Sequence, residues 1–95
     1  MNVRSERAPI THVAIRYKEK IWSLPKPNRH HNVIRLIADE TGDSHIDCRG
    51  ENQGFLDADG RYLNRKQALV SALINKQVLN ENDIRGGQLY SEDLW

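Results

Sequence analysis

The chain has 95 residues, 38% of them hydrophobic, and a mean hydropathy of −0.73. That length allows one small domain, and the periodic clustering of the apolar residues indicates an ordered chain. A single cysteine, Cys48, excludes an internal disulfide and a four-cysteine metal site. No segment approaches the roughly 20 apolar residues of a membrane span, and the first residues contain no apolar signal segment. We therefore expect a cytoplasmic protein with no membrane contact.

Charge is distributed in blocks, although the net charge is only +1. Residues 1–35 carry eight Lys or Arg and two acidic residues, for +6, whereas residues 36–60 carry seven acidic residues and one Arg, for −6. Residues 61–80 carry four basic residues and no acidic one, and residues 81–95 have a net charge of −3. The blocks either neutralise one another or form a basic and an acidic face, which suits an anionic ligand or head-to-tail self-association.

The first part of the domain is predicted to be a β-hairpin. Residues 1–10 are predicted to form a flexible arm, and residues 11–95 a single domain. "THVAIRY" alternates apolar and polar residues and "IWSL" is apolar, so residues 11–24 are predicted to form two paired strands, the first of them half exposed. Pro25 and Pro27 end the second strand because proline donates no backbone hydrogen bond.

A first helix is predicted from about residue 29 to residue 41. Asn28 is placed to cap its start, and Gly42 follows its end, where a left-handed backbone is favoured. Residues spaced as one helical face are predicted to pack on the core: His30, Val33, Ile34 and Ile37. The following "SHIDCRG" is predicted to be either a strand or a loop.

The second half repeats the order of the first. "GFLDADGRYL" predicts a hairpin with Gly60 in a left-handed turn position. A helix follows over about residues 65–76, with Asn64 and Gln67 as a capping box. The side chains predicted to face the core from this helix are Leu69, Val70, Leu73 and Ile74. The tail "QLYSEDLW" is expected to dock on the body, since four large apolar groups are unfavourable in water.

These elements predict an α+β fold of order ββα-ββα followed by a C-terminal tail. Two β-hairpins form a small antiparallel sheet, and two helices lie on one face of it.

Both predicted helices open with basic side chains, in "PNRHH" and "LNRKQ". Cations are disfavoured at the positive end of a helix dipole, but a bound phosphate or carboxylate would reverse that sign. If the helices begin at one edge, these residues form a basic clamp with neutral imidazoles and forked guanidinium donors. The candidate ligand-binding residues are Arg29, His30, His31, Arg61, Arg65 and Lys66, with Tyr62 or Trp22 stacking a base. Alternatively, the arginines pair with the acidic block and His30 lies in the core.

No metal site, cofactor or catalytic residue is predicted. Aligning Gly60 with the glycine of a calcium-binding EF-hand loop puts Phe55 and Lys66 at required ligand positions, which excludes that site. His45, Asp47 and Cys48 lack a standard zinc spacing, and nothing near the cysteine suggests an oxyanion hole. Basic and aromatic residues before residue 35 suit nucleic acid, but a pI of about 7.9 does not favour it.

Three segments resemble a group of short, uncharacterised phage and prophage accessory proteins: "LPKPNRHHNVI", "QGFLDADGRYLNRKQAL" and "LYSEDLW". Those proteins contain similar Pro-x-Arg-His, Gly-Phe-Leu…Gly-Arg-aromatic…Arg-x-x-Ala and Ser-Glu-Asp-Leu-Trp segments. The resemblance implies a phage protein in the cytoplasm of the host cell. Small phage proteins are often inhibitors or ligand sponges directed at host defence, which is an analogy about a class of proteins.

We therefore expect a non-enzymatic, counter-defence binding protein. Its basic clamp would capture a phosphate-bearing small molecule, such as a nucleotide signal, or an acidic surface of a host protein. One alternative is an inhibitor of a host defence nuclease complex, acting by protein contact or by nucleic-acid mimicry. Another is a small His-dependent nucleotide hydrolase or a nucleic-acid-binding protein. Self-association into a homo-oligomer is a further alternative.

Overall fold

The computed structural model describes residues 8–46 and 52–95. Its strands and helices are β1 (Ile10–Tyr17), β2 (Lys20–Pro25), α1 (His30–Thr41), β3 (Gln53–Asp57), β4 (Tyr62–Asn64) and α2 (Arg65–Ile74). Two short 3-10 turns follow, Glu81–Asp83 and Ser91–Asp93. The order ββα-ββα with a C-terminal tail confirms the predicted α+β fold. The described residues contain no helix with the length and hydrophobicity of a membrane-spanning segment.

The strands form one antiparallel sheet in the order β2-β1-β3-β4. Both predicted hairpins are present, and pairing between β1 and β3 joins them. Because β1 is central, Ala14 on one face is as inaccessible as Val13 on the other, both at 0% exposure. The prediction of a half-exposed first strand is therefore wrong at Ala14. The alternation of apolar and polar residues within one strand does not indicate the order of the strands in the sheet, and here that order places β1 at the centre.

Helix α1 packs the predicted residues on the sheet. His30, Val33 and Ile37 are buried, and Ile34 is partly buried beside them. Gly42 ends the helix with φ of 77°, as predicted, and its N–H donates to the carbonyl of residue 38 at 2.9 Å.

The start of α1 differs from the prediction by one residue. Arg29, not Asn28, occupies the capping position, and its N–H donates to the side-chain oxygen of Asn32 at 2.8 Å. The side chain of Asn28 donates instead to the carbonyl of Pro25 at 2.8 Å. That hydrogen bond closes the turn after β2, so the side-chain amide of Asn28 stabilises the end of the strand and does not cap the helix.

Helix α2 follows β4 with no linker, because Asn64 both ends the strand and caps the helix. Its side chain accepts from the N–H of Gln67 at 2.8 Å, and the Gln67 side chain accepts from the N–H of Asn64 at 2.9 Å. The predicted capping box is confirmed. The sheet thus determines which face of α2 points inward.

The inward face of α2 differs from the prediction. It is made of small residues, Ala68, Ser71 and Ala72. Leu69 is partly buried, but the other predicted core residues are 41% to 52% exposed: Val70, Leu73 and Ile74. Small side chains let the helix lie close to the sheet, and the Ser71 hydroxyl donates to the carbonyl of Ala8 at 3.3 Å.

The described part of the predicted arm, residues 8–10, packs on the body. The Gln77 side chain accepts from the N–H of Ile10 at 2.8 Å and donates to its carbonyl at 3.0 Å. Pro9 accepts from the N–H of Ala58 at 2.8 Å. Strand β1 consequently begins at Ile10.

The segment "SHIDCRG" was predicted to be either a strand or a loop. Its residues 44–46 form neither helix nor strand, and Asp47 and Cys48 lie outside the described residues.

Gly54 in β3 is the one described glycine at which an added Cβ would meet other atoms. A Cβ there would overlap the backbone oxygen of Leu63 and lie 2.6 Å from the Tyr62 ring. We predict that Gly54→Ala lowers the free energy of unfolding by about 2 kcal/mol or more, measured by urea denaturation, because a backbone atom cannot rotate away. Adding Tyr62→Ala should restore only part of the loss. A double variant as stable as Tyr62→Ala alone would contradict the role of the backbone contact.

Candidate functional site

The two helices begin close together above β3. The Nε2 atom of His30, in the first turn of α1, lies 2.8 Å from the carbonyl oxygen of Gly54. Gly54 is also the cross-strand partner of Asn64, which caps α2. One residue of the sheet therefore positions both helix starts.

His30 is part of the core at this point. It is 8% exposed, and its ring meets that of Phe55 edge-to-face, with centroids 5.1 Å apart. A carbonyl only accepts, so Nε2 carries the hydrogen and donates to Gly54. Burial lowers the pKa of His30, the nearby charge of Arg65 lowers it further, and the hydrogen bond to Gly54 opposes both. The imidazole is therefore neutral at neutral pH.

The C-terminal tail, defined as residues 89–95, lies between the two helix starts. Leu89 and Leu94 are buried in the core, as the predicted docking of this segment requires. The N–H of Leu89 donates to the carbonyl of Arg65 at 3.1 Å, and the indole N–H of Trp95 donates to the carbonyl of Asn28 at 2.8 Å. Each end of the tail is thus bound to the start of one helix.

The side chains of Arg29 and Arg65 hold the same tail. Arg29 donates to the hydroxyl of Ser91 at 3.3 Å and to the backbone oxygen of Trp95. The guanidinium of Arg65 lies 4.4 Å from the centre of the Tyr90 ring. Its Nη2 atom donates to the side-chain oxygen of Gln53 at 2.6 Å. Arg29 and Arg65 therefore converge on one segment, and the chain itself fills the space between them.

No Asp or Glu side chain in residues 8–46 and 52–95 forms an ion pair with either arginine; the pair found there is Lys18–Asp43, at 3.1 Å. The guanidinium partners described above are a hydroxyl oxygen, a backbone oxygen, a side-chain amide oxygen and an aromatic ring. The Nε atom of Arg65 is buried without a hydrogen-bond partner. Contrary to the alternative prediction, Arg29 and Arg65 do not pair with the described residues of the acidic block. The positive charge at the helix starts remains uncompensated by side-chain carboxylates.

The remaining candidate residues lie at the surface or on other parts of the sheet. Three are exposed: His31 on α1, Arg61 in the β3–β4 turn, and Lys66 in the first turn of α2. Trp22 packs against the core on the helix side of the sheet, and Lys20 lies 4.1 Å from its ring centre.

Tyr62 points to the opposite face of the sheet. Arg16 lies 5.3 Å from its ring centre. Burial raises the pKa of the Tyr62 phenol, while the charges of Arg16 and Arg65 oppose that shift. The aromatic ring that meets a guanidinium of the clamp is that of Tyr90, which is not one of the predicted stacking residues.

Sequence reasoning missed the residues that occupy the clamp: Gln53, Tyr90, Ser91 and Trp95. The available signal was the apolar content of "LYSEDLW", which predicts docking but not its location. Within the described residues, no three His, Cys, Asp or Glu side chains form a group that could hold a metal ion.

We predict that Arg29→Gln releases the end of the tail. The substitution removes charge-assisted hydrogen bonds to Ser91 and Trp95, so local opening of the tail should become easier by about 1.5–3 kcal/mol. Hydrogen exchange at the amides of Leu94 and Trp95 measures this, with Trp95 fluorescence in a Trp22→Phe background as a second signal. Arg35→Gln, at an exposed position of the same helix, is the control. Unchanged exchange in Arg29→Gln would contradict the prediction.

We predict that His30 makes the protein less stable in mild acid. Its pKa is lowered in the folded state, so the unfolded chain takes up the proton first as the pH falls below about 6.5. The contribution of neutral His30 to the free energy of unfolding is thus fully present above that pH. It is lost as the pH falls through the pKa of His30 in the folded state. The His30 contribution to the slope is at most about 1.4 kcal/mol per pH unit.

Urea denaturation of wild type and His30→Gln between about pH 7.5 and 5 measures this slope. The variant should lose part of the pH dependence, whereas His31→Gln, at an exposed neighbouring position, should keep it. Equal slopes in wild type and His30→Gln would rule the assignment out.

Comparison with known proteins adds one match. No curated protein and no solved structure matches the chain. A family model described as the phage T4 y16D protein matches residues 9–95, and so includes the whole sheet, both helices and the tail. The match supports the resemblance to phage proteins that the sequence motifs indicated. The chain belongs to the phage T4 y16D protein family.

Proposed function

We propose that this phage protein is a non-enzymatic binding protein that captures an anionic group where its two helices begin. This helix-start site consists of Arg29, Arg65 and Lys66 with the backbone of the first helical turns. The observation that carries the proposal is the convergence of Arg29 and Arg65 on one segment without a side-chain carboxylate.

The electrostatics of the helix starts favour an external anion. Both guanidinium groups lie at the positive ends of helix dipoles, where cations are unfavourable by about 0.3–1 kcal/mol each. The Arg65 side chain also has a buried, unsatisfied Nε atom, which adds a desolvation cost. An anion beside this site would offset the unfavourable dipole interaction, and Lys66 is exposed in the same turn to add a further cation.

The position of the tail favours an acidic protein surface over an enclosed small molecule. Tyr90, Ser91 and Trp95 occupy the space between the arginines, so a nucleotide would enter only if the tail moved. A carboxylate projecting from another protein can approach the outer rim without that displacement. The thermal-unfolding experiment described below distinguishes an acidic protein surface from a phosphate-bearing ligand.

Binding is favoured over catalysis by the state of His30. This imidazole is buried, and its Nε2–H is already donated to Gly54. It therefore has little access to a substrate as a general acid or base. The biological role we propose is counter-defence through inhibition of a host protein, and its support is the analogy with other small phage proteins.

Thermal unfolding in the presence of anionic probes tests the proposal. The probes are a polyglutamate peptide, inorganic phosphate and a panel of nucleotides. Polyglutamate should raise the melting temperature of the wild type, because a ligand that binds only the folded state stabilises it. At a hundredfold excess of ligand over the dissociation constant, this stabilisation is about 2.7 kcal/mol. The shift should shrink as salt is added, because exposed charges are screened.

Matched variants identify the site. Arg65→Gln/Lys66→Gln should lose the shift, Arg65→Lys should keep most of it because the charge remains, and Lys20→Gln on β2 should leave it unchanged. A shift with nucleotides alone would instead support the phosphate-bearing ligand. No shift with any probe, or one that survives in the double variant, overturns the proposal.

A further inference from the structure

The outer face of α2 is apolar although nothing in the described chain covers it. Val70 and Ile74 are about half exposed, at 50% and 52%, and Leu73 is 41% exposed. These three residues are spaced i, i+3 and i+4, so they form one patch on the side of the helix opposite Ala68 and Ala72. A helix that is apolar on both faces is normally covered on both. The patch is therefore a surface that a partner would bury.

The charged side chains of α2 and of the residues just after it are all positive. Residues 61–80 contain four basic residues and no acidic one. Lys66 lies one turn before Val70 on the same side of the helix, and Lys76 follows the helix end; both side chains are exposed. A partner that covers the patch must bring its own rim close to these two ammonium groups, so complementarity requires acidic residues there.

We propose that the outer face of α2 (Lys66, Val70, Leu73, Ile74 and Lys76) docks a protein whose contact surface has an apolar centre and an acidic rim. The inference rests on the proposed function in taking the partner to be an acidic protein, and it adds the surface on which that protein sits. Nucleic acid would leave the apolar side chains without a matching group.

A second copy of the chain fits this surface poorly. In a two-fold contact between α2 helices, the same patch faces itself. If the helices are antiparallel, Lys66 of each copy lies near Lys76 of the other; if they are parallel, like lysines meet. Both arrangements bring ammonium groups together with no acidic residue from the same helix between them.

Selection from a displayed library of short random peptides tests the chemistry of the partner. Wild-type protein is the bait, and Val70→Ser/Leu73→Ser/Ile74→Ser removes peptides that bind elsewhere. We expect the enriched peptides to carry apolar residues at helical spacing flanked by Asp or Glu. The binding of one such peptide, measured by fluorescence anisotropy, should weaken at least about tenfold in the triple variant and in Lys66→Glu/Lys76→Glu.

The control is Ile21→Ser, which replaces an apolar residue of similar exposure, 42%, on β2 and should leave peptide binding unchanged. Circular dichroism and the melting temperature establish that each variant is folded. Enrichment of neutral or basic peptides overturns the proposal, and so does equal binding by wild type and the triple variant. A wild-type dimer in sedimentation that the triple variant abolishes would show that a second copy covers the face, which also overturns it.

The two proposals fail separately. If polyglutamate produces no shift but acidic amphipathic peptides bind through Val70, Leu73 and Ile74, the helix-start site is wrong and the docking surface holds. If polyglutamate shifts the melting temperature through Arg65 but peptide binding ignores the three apolar residues, the docking surface is wrong.

Discussion

The backbone of Gly54 joins the two halves of the fold. Its carbonyl oxygen accepts the hydrogen bond from His30 at the start of α1, and its cross-strand partner is Asn64, which caps α2. Because glycine has no side chain, Leu63 and Tyr62 can approach β3 closely enough for β4 to pair. Two helices that are far apart in sequence consequently begin side by side. The convergence of their basic residues follows from this contact.

That convergence places positive charge where helix dipoles disfavour it, and the tail explains how the fold tolerates it. Arg29 and Arg65 bind hydroxyl, amide and backbone oxygens and the Tyr90 ring, while Leu89 and Leu94 anchor the tail in the core. Apolar burial therefore brings the tail to the arginines, and the hydrogen bonds orient it there. Stability and the candidate site depend on the same side chains, so an Arg29 variant needs a folding control before any loss of binding is interpreted.

The helix-start site and the outer face of α2 are adjacent because Lys66 belongs to both. One surface supplies positive charge that no described Asp or Glu side chain pairs with, and the other supplies exposed apolar area. Charge complementarity raises the rate and selectivity of association, whereas the burial of apolar side chains supplies most of the affinity. A partner that offers both acidic and apolar groups would use the whole of the proposed surface.

The sequence by itself determined the features that depend on neighbouring residues. The Asn64–Gln67 capping box, the left-handed Gly42 and the two hairpins each need only contacts within a few positions, so local patterns predicted them. The inward face of α1 was also predictable, because its large apolar residues share one side. Only the tertiary structure decided the orientation of α2, since its direct connection to β4 turns Ala68 and Ala72 inward and leaves Val70 outside. It also decided what lies in the clamp: Trp95 reaches Arg29 across 66 positions of sequence, and no local pattern records such a contact.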